Sequence, residues 1–184
     1  MSNLKDKKIL LGVTGGIAAY KACSLANYCL KEGADVKVIM TEAATKFVTP
    51  LTFQALTNHA VYTDMWHIIN QEEVEHISLA TWADMMLIAP ATASTIGKLA
   101  CGIADNLLTT VSMALPQKTK IIIAPAMNTE MLHNPIVTDN IEKLKKYKKY
   151  IFIDPRTGVL ACRDKGAGKI ADNKIIIETL KKEA

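Results

Sequence analysis

The N-terminal segment contains a strand, a tight turn, a helix and a second strand, and this unit limits the chain to a small group of folds. Ile9 to Val13 is an apolar run that predicts a buried strand, and Thr14-Gly15-Gly16 predicts a turn directly after it. Ile17 to Lys31 has apolar residues at helical spacing, and Val36 to Met40 predicts the second strand. A unit of about 30 residues is the usual size of a right-handed crossover between parallel strands. The sequence therefore predicts a parallel sheet.

The same alternation continues along the chain and predicts an α/β fold. Further strands are predicted at Val61–Thr63, Met85–Ala89, Lys120–Ala124 and Tyr150–Ile153, the first at a sheet edge and the second ended by Pro90. Helices are predicted over residues 52–58, 74–83, 95–101, 105–115, 136–147 and 173–182. We expect a three-layer parallel sheet with helices on both faces, in a single domain over residues 1–184.

An amide side chain follows the strand predicted at Lys120–Ala124. Pro125 is expected to stop that strand because proline has no N–H to donate to a ladder. Asn128 comes three residues later. Ligands of open parallel sheets bind outside the carboxyl ends of the strands, so we expect Asn128 to face a ligand crevice.

Three turns after strands are suited to a phosphate-bearing ligand. Thr14-Gly15-Gly16-Ile17 opens a helix whose free N–H groups favour an anion, although a plain tight turn explains these residues equally well. The turn lacks G-x-G-x-x-G spacing, so a mononucleotide fits at least as well as a dinucleotide. Thr41 and Thr92-Ala93-Ser94-Thr95 follow two other strands, where hydroxyl side chains also serve as helix caps. Three such positions on one sheet edge favour binding over capping alone.

His76 and Cys162 are the side chains best suited to proton transfer. A histidine titrates near neutrality, although a lone histidine near a helix start is more often structural. Cys162 lies within Asp154–Lys169, a glycine-containing stretch that has no periodicity and an apolar centre. A loop of this length in a compact domain is usually functional or disordered. The apolar centre favours a lid over a mobile tail, so we expect a flexible flap at about residues 155–169.

Composition argues against several other classes of protein. The net charge is +4, and the lysines between residues 143 and 149 read as a solvated helix face, so nucleic acid is not an expected partner. The four cysteines and four histidines show neither paired nor metal-ligand spacing, so we expect no disulfide and no metal. No signal sequence or membrane-length apolar run occurs, and we expect a cytoplasmic protein without a membrane partner.

Five segments together carry a family resemblance that covers nearly the whole chain. They are Thr14-Gly15-Gly16-Ile17-Ala18-Ala19-Tyr20-Lys21, Glu75-His76-Ile77, Ala89-Pro90-Ala91-Thr92-Ala93-Ser94-Thr95, Pro125-Ala126-Met127-Asn128 and Ala161-Cys162. Ala104-Asp105-Asn106-Leu107-Leu108 is also similar. In this combination the chain resembles the flavoprotein family of homo-oligomeric cysteine decarboxylases. The glycine turn alone is a weak signal, whereas Pro-Ala-Met-Asn together with the histidine and the cysteine is specific.

The resemblance implies a flavodoxin-like or Rossmann-like sheet with FMN as the cofactor. It implies decarboxylation of 4'-phosphopantothenoylcysteine to 4'-phosphopantetheine, a step of coenzyme A biosynthesis. It also implies a homotrimer or homododecamer with FMN near the subunit interfaces. The implied FMN contacts are Gly15, Gly16, Ile17, Thr41, Thr92, Ala93, Ser94, Thr95 and Ala124.

The resemblance also implies roles around the substrate. His76 is the implied active-site histidine, Asn128 holds the substrate carboxylate, and Cys162 donates a proton from a flap that closes over the substrate. Val159, Ala161 and Ile170 are the implied lining of that flap.

Two residues depart from the family pattern. Ser94 stands where the family often has asparagine, and Arg163 stands where glycine usually follows the cysteine. The second change affects the flap's conformation more than the chemistry, because arginine lacks the backbone freedom of glycine. Open alternatives are a peptidyl-cysteine decarboxylase, a flavin prenyltransferase and a non-catalytic regulatory subunit. The chain is expected to be either a stand-alone enzyme or one domain of a fusion with a ligase.

Overall fold

A six-stranded parallel sheet forms the centre of the molecule. The computed structural model describes residues 4–66, 74–159 and 165–184. The sheet consists of β1 (Lys8–Val13), β2 (Asp35–Met40), β3 (Val61–Tyr62), β4 (Met85–Ala91), β5 (Lys120–Pro125) and β6 (Tyr150–Phe152). The strand order is β3-β2-β1-β4-β5-β6, and every neighbouring pair is parallel. The order reverses between β1 and β4, which makes their carboxyl ends the topological switch point.

Helices cover both faces of this sheet. In the described ranges they are α1 (Ala19–Lys31), α2 (Glu42–Thr45), α3 (Pro50–Thr57), α4 (Glu75–Trp82), α5 (Ala93–Cys101), α6 (Leu107–Ala114), α7 (Thr129–Leu132), α8 (Pro135–Lys145) and α9 (Asn173–Glu183). Buried side chains of α1, α3 and α9 form one apolar cluster with the sheet. Those of α4, α5, α6 and α8 form a second cluster on the opposite face. The expected three-layer fold class is therefore confirmed.

Burial on both faces explains why the central strands read as continuous apolar runs. All seven residues of β4 are buried, as are the last five of β1 and of β5. A strand between two helical layers has no solvent-facing side, so alternation of polar and apolar residues is absent. This packing holds the carboxyl ends of the three strands in fixed positions next to one another.

Of the two prolines that the sequence predicts to end strands, Pro90 does not end its strand, whereas β5 does end at Pro125. β4 continues through Pro90, which follows a cis peptide bond, to Ala91. The ladder to β5 is irregular between Ile88 and Ala91, so proline occupies a position where the regular pairing is already interrupted. Pro125 is itself the last residue of β5 and is paired in register with Ala91.

The segment expected to be a loop at 154–169 contains regular structure instead. β7 (Arg156–Val159) and β8 (Lys165–Lys169) pair as an antiparallel ribbon, termed here the β7–β8 ribbon. Hydrogen bonds from Met127 N and Thr129 Oγ1 to carbonyl groups of β8 hold the ribbon in place. Because the ribbon does not depend on an apolar face, its sequence lacks the apolar alternation that is typical of strands. The predicted site residues Ala161 and Cys162 lie outside the described residues, and of Val159 only the backbone is described.

Candidate functional site

A cavity of about 580 Å³ opens at the switch point of the sheet. Its lining comes from four segments within residues 15–21, 90–93, 126–131 and 168–170. The first and third follow β1 and β5, the second runs from the end of β4 to the start of α5, and the fourth belongs to the end of the β7–β8 ribbon and the residue after it. Small-molecule sites usually occupy about 300–1,000 Å³, so the cavity has the size of a cofactor or substrate site.

The buried hydroxyl of Thr14 ties two of these segments together. Thr14 Oγ1 donates to the Pro90 carbonyl at 2.7 Å and accepts from the Thr92 N–H at 3.0 Å. The Thr14 residue is 1% exposed. The turn after β1 is therefore fixed to the turn after β4 by one side chain.

We expect Thr14→Val to destabilise the protein and to weaken ligand retention. Valine keeps the shape but leaves the buried Pro90 carbonyl and Thr92 N–H without a partner, which costs about 1–3 kcal/mol. Urea denaturation at fixed protein concentration measures the loss. The matched control is Thr179→Val, whose hydroxyl donates to Ile175 O on the exposed surface of α9. Equal midpoints for the two variants would contradict the bridging role.

The start of α1 provides a cradle for an anion. A Cβ at Gly15 would stand 2.4 Å from Ala43 Cβ, so only glycine allows this close approach of the turn to α2. Ala18 precedes α1 and supplies no side-chain cap, and of the first N–H groups of the helix those of Ala19 and Lys21 donate to Gly16 O and Ala18 O within the turn. Uncapped N–H groups at a helix start bind phosphate groups well, because they are donors at the positive end of the helix dipole.

Asn128 is held rigidly at the cavity wall. Its Oδ1 accepts from the Glu130 N–H at 2.8 Å and so caps α7, which leaves the amide Nδ2 to donate elsewhere. The flanking backbone is tied to β8, because Met127 N donates to Gly168 O at 3.0 Å and Thr129 Oγ1 donates to Ala167 O at 2.7 Å. This arrangement presents a neutral hydrogen-bond donor from a fixed backbone.

The structure brings many of the predicted site residues together. Those that line the cavity are Gly15, Gly16, Ile17, Thr92, Ala93, Asn128 and Ile170. Those described residues that lie outside its lining are Thr41, His76, Ser94, Thr95 and Ala124. Roles for both groups stay predictions.

The predicted residues outside the lining have identifiable local environments. Thr41 and Thr92 cap α2 and α5 through their hydroxyls, Thr95 is buried behind that cap, and Ser94 is exposed. Ala124 is fully buried in the cluster below the cavity. His76 is half-buried in the first turn of α4.

Two lining lysines were not predicted as site residues. Lys21 belongs to α1, and Lys169 is the last residue of β8. Burial lowers the pKa of Lys21, and the neighbouring charges of Lys169 and Arg156 lower this pKa further, against an opposing effect of Asp172. Lys21 stood in the first quoted motif, but nothing in the sequence places it beside Lys169. The cavity therefore has a cationic side as well as an apolar one.

The fold and the cavity define an α/β protein that has a ligand site suited to phosphate at the switch point of its sheet. Comparison with known protein families then assigns the family. The Flavoprotein family model matches residues 1–184, so the chain belongs to the Flavoprotein family. Among the described residues, no helix is both long and apolar enough to cross a membrane. The same residues bring no three His, Cys, Asp or Glu side chains into a group suited to a metal ion.

Two curated relatives show how much of the chain is shared. The coenzyme A biosynthesis bifunctional protein CoaBC of Bacillus subtilis (strain 168) is 48% identical over 179 residues, which are 97% of this chain and 43% of that protein. A probable phosphopantothenoylcysteine decarboxylase of Streptococcus mutans serotype c is 46% identical over 177 residues, 96% of this chain and 98% of that protein. The chain thus spans less than half of the bifunctional relative and nearly all of the other.

Solved structures agree with the fold. A cysteine-to-serine variant of a PPC decarboxylase complexed with pantothenoylaminoethenethiol superposes with a TM-score of 0.83 at 32% identity, covering 96% of this chain and 97% of that chain. The FMN binding protein AtHal3 gives a TM-score of 0.80 at 33% identity and covers 96% of each chain. Each of the two superpositions covers nearly the whole chain.

Proposed function

We propose that this chain catalyses the FMN-dependent decarboxylation of 4'-phosphopantothenoylcysteine to 4'-phosphopantetheine, a step of coenzyme A biosynthesis in the cytoplasm. The observation that carries the proposal is one cavity lined both by the phosphate-suited turn Gly15-Gly16 and by the rigid amide donor Asn128. The nearly full-length relative named as a probable phosphopantothenoylcysteine decarboxylase supports the choice of substrate.

The residues present fit FMN. The close approach at Gly15 and the uncapped start of α1 suit the phosphate, and Ile17, Thr92 and Ala93 supply apolar and hydroxyl surface beside it. Thr41, Ser94, Thr95 and Ala124 are the remaining proposed contacts, although they lie outside the cavity lining. Bound there, FMN would supply the oxidation and return reduction of the cysteine end that loss of CO2 requires.

The chain's own residues would bind, orient and protonate the substrate. Asn128 would donate a hydrogen bond to the carboxylate without adding a positive charge that stabilises the starting anion and opposes its loss. Cys162 would donate a proton from the flap, and Val159, Ala161 and Ile170 would line the closed site and exclude water. His76 would manage the thiol proton or orient the carboxylate.

The direct test is whether the purified protein is yellow and releases CO2 from 4'-phosphopantothenoylcysteine. A peptide ending in cysteine and a prenyl phosphate donor are the competing substrates to assay in parallel. Turnover of either competitor in preference to the coenzyme A precursor would redirect the assignment within the family. A yellow protein that turns over none of the three would favour a non-catalytic role.

We expect Cys162→Ser to release CO2 but to accumulate an oxidised enethiol product. Serine is a much weaker proton donor than a thiol, so the step after CO2 loss should stop. Mass spectrometry distinguishes that product from the thiol, which is two hydrogens heavier. Cys101→Ser, at an exposed cysteine of α5, is the control and should yield the normal thiol. Normal thiol formation by Cys162→Ser would exclude the donor role.

We also propose that the enzyme is a homo-oligomer, a trimer or dodecamer, in which a neighbouring subunit completes the site. Two observations support this: His76 lies outside the cavity lining of its own subunit, and Val74 and Ile77 beside it are exposed. Ile17 and Tyr20 at the cavity are exposed as well. Apolar side chains exposed in this way are typical of subunit contacts.

Mixing two inactive variants should restore CO2 release if the neighbour supplies His76. Random assembly of His76→Ala and Asn128→Asp subunits places an intact Asn128 beside an intact His76 in about one site in four. The readout is activity of co-expressed variants against each variant alone. Absence of any recovery, with oligomers intact by light scattering, would place His76 and Asn128 in the same subunit's site.

A further inference from the structure

Three cationic side chains lie together beside the cavity. Lys21 and Lys169 line the cavity, and Arg156 is paired in register with Lys169 across the β7–β8 ribbon. Arg156 Nη1 contacts the carboxylate of Asp172. Directly opposed like charges destabilise a pair of strands. Lys21, Arg156 and Lys169, termed here the cationic cluster, therefore carry more positive charge than Asp172 balances.

The environment of the cationic cluster makes that charge costly. Lys21 is the third residue of α1, where the positive end of the helix dipole disfavours a cation. Arg156 Nε is buried and has no hydrogen-bond partner among the described residues. A buried donor without a partner costs free energy that a bound acceptor would recover. An anion at this position would remove the charge repulsion and offer the missing acceptors.

We propose that the cationic cluster is the subsite for the phosphate monoester of the substrate. This inference rests on the proposed function and extends it, because it names the residues that recognise the phosphorylated end. Lys21, Arg156 and Lys169 are each partly exposed, whereas Thr14, which joins the turns after β1 and β4, is buried. The cationic cluster therefore lies closer to solvent than Thr14 does. A charged phosphate at the end of the substrate far from the reacting cysteine suits that position.

The FMN phosphate is the other phosphate monoester that the site would hold. The turn Gly15-Gly16 and the start of α1 already provide for it, because they offer backbone N–H donors and because Gly15 has no side chain to keep a phosphate away. The cationic cluster instead consists of charged side chains, and two of its three members, Arg156 and Lys169, belong to the β7–β8 ribbon and not to that turn. Because the turn already provides for the FMN phosphate, we assign the cluster to the substrate phosphate.

The experiment compares two substrates that differ only in the phosphate. The kcat and KM for CO2 release are measured with 4'-phosphopantothenoylcysteine and with pantothenoylcysteine, on wild type, Lys21→Gln and Lys169→Gln. Wild type should prefer the phosphorylated substrate about tenfold or more in kcat/KM, and each variant should lose about tenfold on that substrate alone, through KM. Lys169→Arg should restore most of the preference.

The control removes a lysine at the opposite edge of the sheet. Lys118 is exposed and precedes β5 at the amino-terminal edge of the sheet. Lys118→Gln should therefore leave the kcat and KM for both substrates unchanged. Inorganic phosphate at millimolar concentration should compete with the phosphorylated substrate in wild type, a measurement that needs no variant. Absorbance of bound FMN is recorded for every protein.

Several outcomes would overturn the inference. Equal loss on both substrates would indicate a structural role, and loss of bound FMN would assign the cluster to the cofactor phosphate. A wild type that turns over both substrates equally and ignores inorganic phosphate would have no such subsite. CO2 release from neither substrate by wild type would refute the proposed function and this inference with it, a result distinct from the other three.

Discussion

Replacing Asn128 by aspartate is expected to lower kcat/KM for CO2 release by at least about a hundredfold while FMN stays bound. Aspartate is as good a helix cap as asparagine, so the bond from the Glu130 N–H and the backbone of α7 should persist. The change removes the Nδ2 donor and places a negative charge opposite the substrate carboxylate. Like-charge contact and a lost hydrogen bond together cost several kcal/mol, and about 1.4 kcal/mol corresponds to tenfold.

The matched control for this variant is Asn134→Asp. Asn134 caps α8 in the same way, with Oδ1 accepting from the Ile136 N–H at 3.0 Å, and it does not line the cavity. Its aspartate variant should turn over like wild type. Wild-type activity in Asn128→Asp, or an equal loss in both variants, would remove Asn128 from the carboxylate site.

The position of Asn128 shows how far sequence alone reaches. The apolar run Ile121-Ile122-Ile123 predicts a buried strand, and the structure contains it as β5 with the amide three residues beyond. Parallel pairing then requires that polar residues after β1, β4 and β5 meet at one sheet edge, and the cavity does draw its lining from those segments. Periodicity is a local property and parallel pairing follows from the length of the crossover, so both could be predicted from the sequence, whereas the strand order came from the structure.

The cationic cluster shows what the sequence does not reveal. Lys21 and Lys169 are far apart along the chain, and they line one cavity only because the β7–β8 ribbon docks beside β5. Residues 154–169 have no alternation that would predict strands, since the ribbon depends on backbone bonds to Met127 and Thr129. Tertiary docking of this kind leaves no periodic signal. His76 likewise belongs to one of the quoted segments, but the sequence does not show which atoms it contacts.

Gly168→Ala is expected to separate the β7–β8 ribbon from the cavity wall and to lower kcat/KM by more than about tenfold. Gly168 has φ +119°, a conformation that side-chain-bearing residues rarely adopt, and a Cβ there would stand 2.1 Å from the Met127 carbonyl oxygen. Backbone strain and the clash each cost about 1–3 kcal/mol, so the bond from Met127 N to Gly168 O should break. Asn128 then loses a contact that fixes its backbone beside the cavity. The measurements are kcat/KM and the urea midpoint.

Glycine-to-alanine substitution at Gly97 should instead increase the stability of the protein. Gly97 lies inside α5, and the nearest atom to its added Cβ would be Asn140 Nδ2 at 3.6 Å, an ordinary contact. Alanine is favoured over glycine within a helix by about 1 kcal/mol, so Gly97→Ala should raise the urea midpoint and leave turnover unchanged. If Gly168→Ala instead retained full activity, Asn128 would be positioned by its helix cap alone. A loss of stability without a loss of activity would lead to the same conclusion, because the ribbon would then support the fold and not the reacting end of the substrate.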